Sequence, residues 1–493
     1  MSIAARYHAL TKYDVVNVRQ GPGLDWAKQP PPFKEIVSRQ RIELRRHPPV
    51  HVEAGRPVPS HADPVEQVDL PALSRLLFFA NGVTGLIRYG QGGGQFLRAA
   101  PSAGALYPTE VYVAARDVPG LAPGLYSYLA ATHELIRLWE DPGFETLGRA
   151  CGDPEAFAAL EAAVVLTGVH WRSAWRYRER GFRRVLLDTG HVVANLSACA
   201  ATLGLRADVH LGFRDAEVNG LFFFDTTEEA ALACVGIAQA DSRTPACARM
   251  GSPSPNADAV HAATLASADE LAASATVALQ RASSCVGPAK APPALARPPV
   301  TDRSIPLAAP DPMGASMPSA ILHRRSARTY DDAPVPFAAL GRTIGFALGR
   351  EGDLDIDGTL RCHLVAHTVD GLAPGVYAIE GNGEALLPLA TGDVRDRVFE
   401  LSLGQEIARR CAAVLVMSAC AADAIARWGD RAYRYLHLDA GIVGERFQLA
   451  AQALDLAACG IGGFLDDDAA ALVELTPDDW VCYLVTIGAR ATE

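Results

Sequence analysis

The chain has 493 residues, 49% hydrophobic and 20% charged, with a formal net charge of −11. This is a globular profile with room for two or three domains, and its acidic balance argues against a surface built for nucleic acid or an anionic membrane. No apolar run reaches the roughly 18 residues of a membrane span, Met1–Tyr13 lacks the apolar core of a secretory signal, and 10 irregularly spaced cysteines without a CxxC pair read as buried hydrophobes of a reducing cytosol rather than metal ligands.

In chain order, residues 1–60 form a leading segment. It holds an expected helix near Ala4–Asp14 and then the helix-breaking run Pro30-Pro31-Pro32. Residues 61–240 hold apolar, β-prone strands at Val111–Ala114 and Ala163–Thr167, a long helix over Phe182–Leu203 and a closing strand at Leu232–Ile237. Residues 241–316 are rich in Ala, Ser and Pro, with an Ala-rich helix expected near 257–282, and read as an interdomain connector. Residues 317–493 repeat the earlier pattern: strands at His363–Ala366 and Ala413–Ser418, a helix over Tyr433–Leu454 and a strand at Trp480–Ile487. The order of elements predicts an α+β class domain with a central sheet, present twice.

The repetition is visible residue by residue. Gly120-Leu121-Ala122-Pro123-Gly124 returns as Gly371-Leu372-Ala373-Pro374-Gly375, an offset of 371 − 120 = 251. The same offset carries Arg176 to Arg427, Arg180 to Arg431, Asp188 to Asp439, Gly190 to Gly441 and Asp215 to Asp466. A period this long means two domains, because solenoid repeats run to about 20–50 residues.

Three segments carry chemistry. Arg98–Glu110 includes Pro101-Ser102-Ala103-Gly104, small residues that let backbone N–H groups approach a ligand. Arg324-Arg325-Ser326-Ala327-Arg328 is a compact basic cluster, on a helix or a turn, suited to a phosphate. Gly460-Ile461-Gly462-Gly463-Phe464 follows the second long helix and offers backbone to a flat ring or a phosphate, without being a GxGxxG fingerprint. Taken singly, an ordinary turn or a solvated basic cluster explains each.

Together they resemble the flavin-binding elements of the nitroreductase family. The resemblance is closer to the SagB/ThcOx-type dehydrogenases, the azoline oxidases of peptide natural-product pathways. It rests on Arg98–Glu110, Pro123–Tyr128 with His133-Glu134-Leu135, Leu186–His191 before Asn195-Leu196, Tyr7–Tyr13 and Leu24–Ala27. It implies two fused nitroreductase-like domains, an intramolecular pseudo-dimer, with FMN as cofactor. It also implies that Arg324, Ser326 and Arg328 hold the phosphate and ribityl oxygens, with Arg490 nearby. Pro101, Ser102, Ala103 and Gly104 would line the ring, and backbone of Ile461, Gly462 and Gly463 would approach its edge. The first repeat lacks an Arg-x-Ser-x-Arg element, with Pro59–Ala62 roughly in its place, and the second lacks a Pro-Ser loop ahead of Thr359. One complete FMN site per chain is therefore expected.

The azoline oxidases carry a Lys-Tyr pair ahead of the long helix, and this chain has Arg176-Tyr177 there. Arginine stays protonated and cannot serve as a base, which leaves Tyr177 as the proton donor or acceptor. The expected function is hydride transfer to FMN from an intermediate of a specialised, peptide-related biosynthetic pathway, in the cytoplasm. Expected partners are a small-molecule or peptide-bound substrate and biosynthetic partner proteins, with a further homodimer open. Alternatives are an NAD(P)H-dependent nitro or quinone reductase, and a non-catalytic scaffold that kept the fold.

Overall fold

The computed structural model describes residues 2–19, 23–60, 63–89, 94–240, 260–261, 274–285, 300–309, 317–349, 360–476 and 478–491. Most of the 241–316 connector, His61, Ala62 and Thr359 lie outside the described residues. The chain divides into two compact units. One comprises Leu24–Ala291 with Met317–Leu322, and the other Met1–Gly23, Pro292–Ser316 and His323–Glu493. They are termed here the repeat-one and repeat-two units.

Helix α1 (Ile3–Thr11), capped by the Ser2 hydroxyl, is the first element and belongs to the repeat-two unit. The repeat-one unit contains β1 (Arg41–Glu43), α2 (Leu70–Asn81), β2 (Thr109–Ala115), β3 (Gly124–Leu129), β4 (Glu134–Trp139), β5 (Ala162–Val169), α3 (His170–Tyr177), α4 (Gly181–Thr202), β6 (Leu205–His210), β7 (Glu229–Gln239) and α5 (Ala275–Ala282). Its sheet runs β6-β7-β5-β2-β3-β4-β1, antiparallel throughout. Tyr112, Phe144, Phe157, Val165 and Phe222 are among the residues of one apolar core built on it.

The repeat-two unit adds β8 (Ile305–Pro306), β9 (Tyr330–Asp331), α6 (Phe337–Leu348), β10 (Arg361–Ala366), β11 (Gly375–Glu380), β12 (Ala385–Thr391), β13 (Ala413–Cys420), α7 (Ala421–Trp428), α8 (Ala432–Ala453), β14 (Leu456–Ile461) and β15 (Asp479–Arg490). Its sheet runs β8-β12-β11-β10-β13-β15-β9, and β14 also pairs with β15. The core order β14-β15-β13-β10-β11-β12 is that of β6-β7-β5-β2-β3-β4. Register repeats too: Ala163 faces Ala114, and Val414 faces Val365, both members shifted by 251.

The two long helices end at the same place by different residues. Gly204 takes a left-handed φ of +69° beyond α4, and its N–H bonds the Ala201 carbonyl at 3.2 Å. Asp455 takes the same position beyond α8 at φ +56°. The basic stretches between strand and long helix, unassigned in the sequence reading, are the short helices α3 and α7.

Residues 24–37 lie across the repeat-one unit as an irregular strap. Trp175 Nε1 donates to the Asp25 carbonyl at 2.8 Å, and Arg98 Nη2 donates to the Pro32 carbonyl at 2.7 Å. Lys34 Nζ reaches Glu229 Oε2 at 2.5 Å and Tyr112 Oη at 2.6 Å, and Thr167 Oγ1 donates to Glu229 Oε1 at 2.6 Å. Burial pushes the Glu229 carboxyl up, but the Lys34 ammonium and these hydrogen bonds outweigh it and hold the group below its ordinary value. Lys34→Met strands that carboxylate in the core and is expected to destabilise the unit by about 3–5 kcal/mol. Because the folded value is depressed, the loss is full at neutral pH. It shrinks as acid protonates Glu229, which urea titrations at pH 7 and in the carboxylate range will read.

Candidate functional site

The Pro-Ser loop lies between α2 and β2 in a tightly bent form. Gly104, Ala105 and Tyr107 all have left-handed φ, at +64°, +52° and +48°. Two of these are not glycine, so the surrounding structure must hold them there. Ser102 and Asp188 do much of this. Ser102 Oγ donates to Asp188 Oδ2 at 2.5 Å and accepts from the Tyr107 N–H at 2.8 Å. The Ala103 N–H donates to Asp188 Oδ1 at 3.3 Å, and His191 Nδ1 lies 3.1 Å from the Pro101 carbonyl. The Ser102 hydroxyl is thus occupied in building the loop.

Asp188 is on α4 and buried. Desolvation pushes its carboxyl up to about 7, against the lowering effect of Ser102, Ala103 and Arg184. Arg98, at the head of the same string, is also structural: its guanidinium lies 4.9 Å from the Phe33 ring centroid and 5.0 Å from that of Tyr107. Arg172 donates to the Tyr107 carbonyl at 3.0 Å and forms a buried ion pair with Glu110.

The structure brings Arg176 and Tyr177 to this loop. A Cβ added to Gly104 would stand 2.8 Å from Tyr177 Oη and 3.3 Å from Arg176 Cδ. The guanidinium of Arg184 lies 5.3 Å from the Tyr177 ring centroid. Tyr177 is half-buried and Arg176 exposed. Tyr177 therefore places a hydroxyl beside backbone that only a glycine leaves accessible.

In the repeat-two unit the basic cluster is neither helix nor turn, contrary to the sequence reading. Its middle runs along β14: Ser326 bridges Ala458, and the Ala327 N–H bonds the Ala458 carbonyl at 3.0 Å. Farther on, Tyr330 faces Arg490 on β15. The segment from Ser326 to Tyr330 thus passes the end of the sheet where β14 begins and β15 ends, with Ser326 against Ala458 and Tyr330 against Arg490. Arg324 is buried, with Nε 3.3 Å from Glu445 Oε1 on α8. Burial raises the Glu445 carboxyl to about 8, against the lowering effect of the Arg324 guanidinium. Arg328 is exposed.

Two further assignments change. Gly460 lies inside β14, and a Cβ there would stand 1.7 Å from Tyr483 Oη, so this glycine makes room for an aromatic ring. Only Gly462 and Gly463 follow the strand, while the Ile461 side chain is in the apolar core. Arg490 bonds Asp455 at 2.9 Å, and Gln452 Oε1 and the Leu456 carbonyl at 3.0 Å each, at the end of α8. Its guanidinium braces that turn. No group of metal-ligating side chains occurs among the described residues, and no helix among them is long and apolar enough to cross a membrane.

In the sequence Asp188 stands out as a recurring residue and as part of the Leu186–His191 string, and neither reveals its contact with the loop. Its signal was recurrence at the 251 offset as a polar residue inside an apolar helix. In the repeat-two unit the buried Arg324 stands two residues from Ser326, residue types that suit a phosphate, and in the repeat-one unit Gly104 leaves room that a Cβ would take from Tyr177 Oη.

The model of the nitroreductase family matches residues 63–237 and 380–489, more than half of the chain. The chain belongs to the nitroreductase family. Its two fused α+β units are nitroreductase folds in tandem. A nitroreductase-family crystal structure from Anabaena variabilis is 32% identical, covers 100% of both chains and superposes with a TM-score of 0.80. A protein of Methanocaldococcus jannaschii named as a nitroreductase is 33% identical over 150 residues, 30% of this chain and 72% of its own. The trifolitoxin-processing protein TfxB of Rhizobium leguminosarum is 28% identical over 177 residues, 34% of this chain and 46% of its own. The microcin B17-processing protein McbC of Escherichia coli is 30% identical over 131 residues, 25% of this chain and 48% of its own. This nitroreductase-family chain thus spans about half the length of the two processing proteins it matches.

Proposed function

We propose that the chain is an FMN-dependent oxidoreductase that dehydrogenates an intermediate of a specialised, peptide-derived biosynthetic pathway. The observation that carries the reading is the Pro101–Tyr107 loop, with left-handed Ala105 and Tyr107, locked by Asp188 and set against the Tyr177 hydroxyl. Relatedness to two proteins named for processing trifolitoxin and microcin B17 supports the substrate class.

FMN, when bound, supplies the hydride acceptor. Arg324, Ser326 and Arg328 would hold its phosphate, and Arg490 would brace the turn between α8 and β14. Backbone of Pro101–Gly104 and of Ile461–Gly463 would border the ring. Tyr177 Oη would accept or deliver the proton that accompanies hydride loss, because Arg176 stays cationic. All described cysteines are free thiols, which suits a reducing cytoplasm.

Purified full-length protein is expected to be yellow and to release about one FMN per chain on denaturation, the count implied by one phosphate cluster and one Pro-Ser loop. Anaerobic mixing with an azoline-bearing peptide is expected to bleach the flavin. Colourless protein that takes up no FMN would point to a scaffold, and rapid bleaching by NAD(P)H instead would point to a nitro or quinone reductase.

A further inference from the structure

The 251 offset does not reach the start of the chain, yet two short helices on the two units match in the contacts of their backbone N–H groups. Helix α1 is seated on the repeat-two unit. Ser2 Oγ accepts from the Ala5 N–H at 3.1 Å, the Ala4 N–H donates to Asp430 Oδ1 at 2.7 Å, and the Tyr13 N–H donates to Asp466 Oδ2 at 2.9 Å. Helix α5 is seated on the repeat-one unit. Ser274 Oγ accepts from the Val277 N–H at 3.2 Å, the Thr276 N–H donates to Glu179 Oε2 at 2.7 Å, and the Cys285 N–H donates to Asp215 Oδ2 at 2.8 Å.

Counted from the capping serine, the contacts fall at the same positions: the third, second and eleventh residues beyond it. The accepting carboxylates are equivalent as well, since 430 − 179 = 251 and 466 − 215 = 251. Each helix also ends alike. Thr11 Oγ1 returns to the His8 carbonyl and Ser283 Oγ to the Gln280 carbonyl, at 3.4 and 3.1 Å. Four buried positions coincide, Ala4, Tyr7, His8 and Thr11 in one and Thr276, Leu279, Gln280 and Ser283 in the other, and the second helix buries Val277 as well.

We infer that residues 2–13 and 274–285 are two copies of one docking arm, and that each is held by the repeat it does not precede in the chain. The arm ahead of the first repeat sits in a socket of the repeat-two unit, formed by Asp430, Asp466, Tyr433 and Trp480. His8 stacks on Trp480 there at a centroid distance of 4.9 Å. The arm ahead of the second repeat sits in the matching socket of the repeat-one unit, formed by Glu179 and Asp215. The duplicated unit was therefore a domain plus a leading arm, and the arm is the part that is exchanged. Each socket recognises a serine-capped helix through its backbone N–H groups, so its partner is the arm of the other copy. The seating of the second arm on Glu179 also fixes the turn that follows Arg176-Tyr177.

Hydrogen exchange of the full-length chain tests this. Each carboxylate–amide bond is charge-assisted, so removing one is expected to speed exchange in the arm it holds about tenfold. Asp430→Ala is expected to do so in residues 3–11 and leave 275–282 unchanged, and Glu179→Ala to do the reverse. A second measurement uses a protease site inserted between Gly23 and Leu24. After cleavage, the fragment ending at Gly23 is expected to co-elute with the rest of the parent protein and to separate from the Asp430→Ala variant. Unchanged exchange in both arms, the opposite pattern, or release of the fragment from the parent would overturn the assignment.

Discussion

Asp188→Ala is expected to weaken FMN binding about a hundredfold while the far-ultraviolet circular dichroism keeps its mixed signature. The carboxylate is the acceptor for both the Ser102 hydroxyl and the Ala103 N–H. Removing it leaves two donors unsatisfied in a buried place, at a cost of about 1–3 kcal/mol each. The loop already holds left-handed Ala105 and Tyr107, so relaxation away from that form is the expected response. Asp188→Asn keeps an acceptor and is expected to lose about tenfold, at 1.4 kcal/mol per decade. Parent-like FMN affinity in the alanine variant would separate the clamp from the cofactor.

The same residue gives a pH signature. Its folded-state value, about 7, lies above its ordinary 3.8, so the folded protein keeps a proton that the unfolded chain releases between them. Stability is therefore expected to fall as pH rises from about 4 to about 7 and then to level, a contribution of about 4 kcal/mol in all. Denaturant titrations across that range should show the slope in the parent and lose it in Asp188→Asn.

Arg324→Ala is expected to raise the Kd for FMN by about a hundredfold or more and to leave riboflavin, which has no phosphate, nearly unaffected. The arginine is buried beside Glu445, whose carboxyl is raised to about 8 by burial. As pH passes about 8, Glu445 ionises and competes for the guanidinium, so FMN affinity is expected to decline there. Glu445→Gln should bind FMN as the parent does at pH 7 and lose that alkaline decline. Equal losses for FMN and riboflavin in Arg324→Ala would assign the residue to folding and not to the phosphate.

Much of the fold was legible because it rests on local pattern. Runs such as Ala163–Thr167 and Ala413–Ser418 are β-prone wherever they occur, and both are central strands. The long helices lie within one residue of their expected bounds, since apolar and alanine-rich sequence persists to the left-handed Gly204 and Asp455. The candidate site was legible only in part. Arg176 and Tyr177 were named, but their approach to Gly104 joins residues more than seventy positions apart. The string from Arg98 to Glu110 read as a ligand loop, whereas Arg98 and Ser102 are taken up in building it. The cluster at Arg324 read as a helix or turn because spacing alone cannot reveal pairing with Ala458.

By itself the sequence determined that the chain is a duplication, since side chains at a constant offset are recorded in the letters. Tertiary structure decided which helix serves which repeat. The two arms share little beyond Ser2 and Ser274, because their sockets bind backbone N–H groups that every residue except proline offers. A contact made to the main chain leaves almost no trace in side-chain identity. The carboxylates that receive it, Glu179 with Asp430 and Asp215 with Asp466, are the half of the match that the sequence could keep.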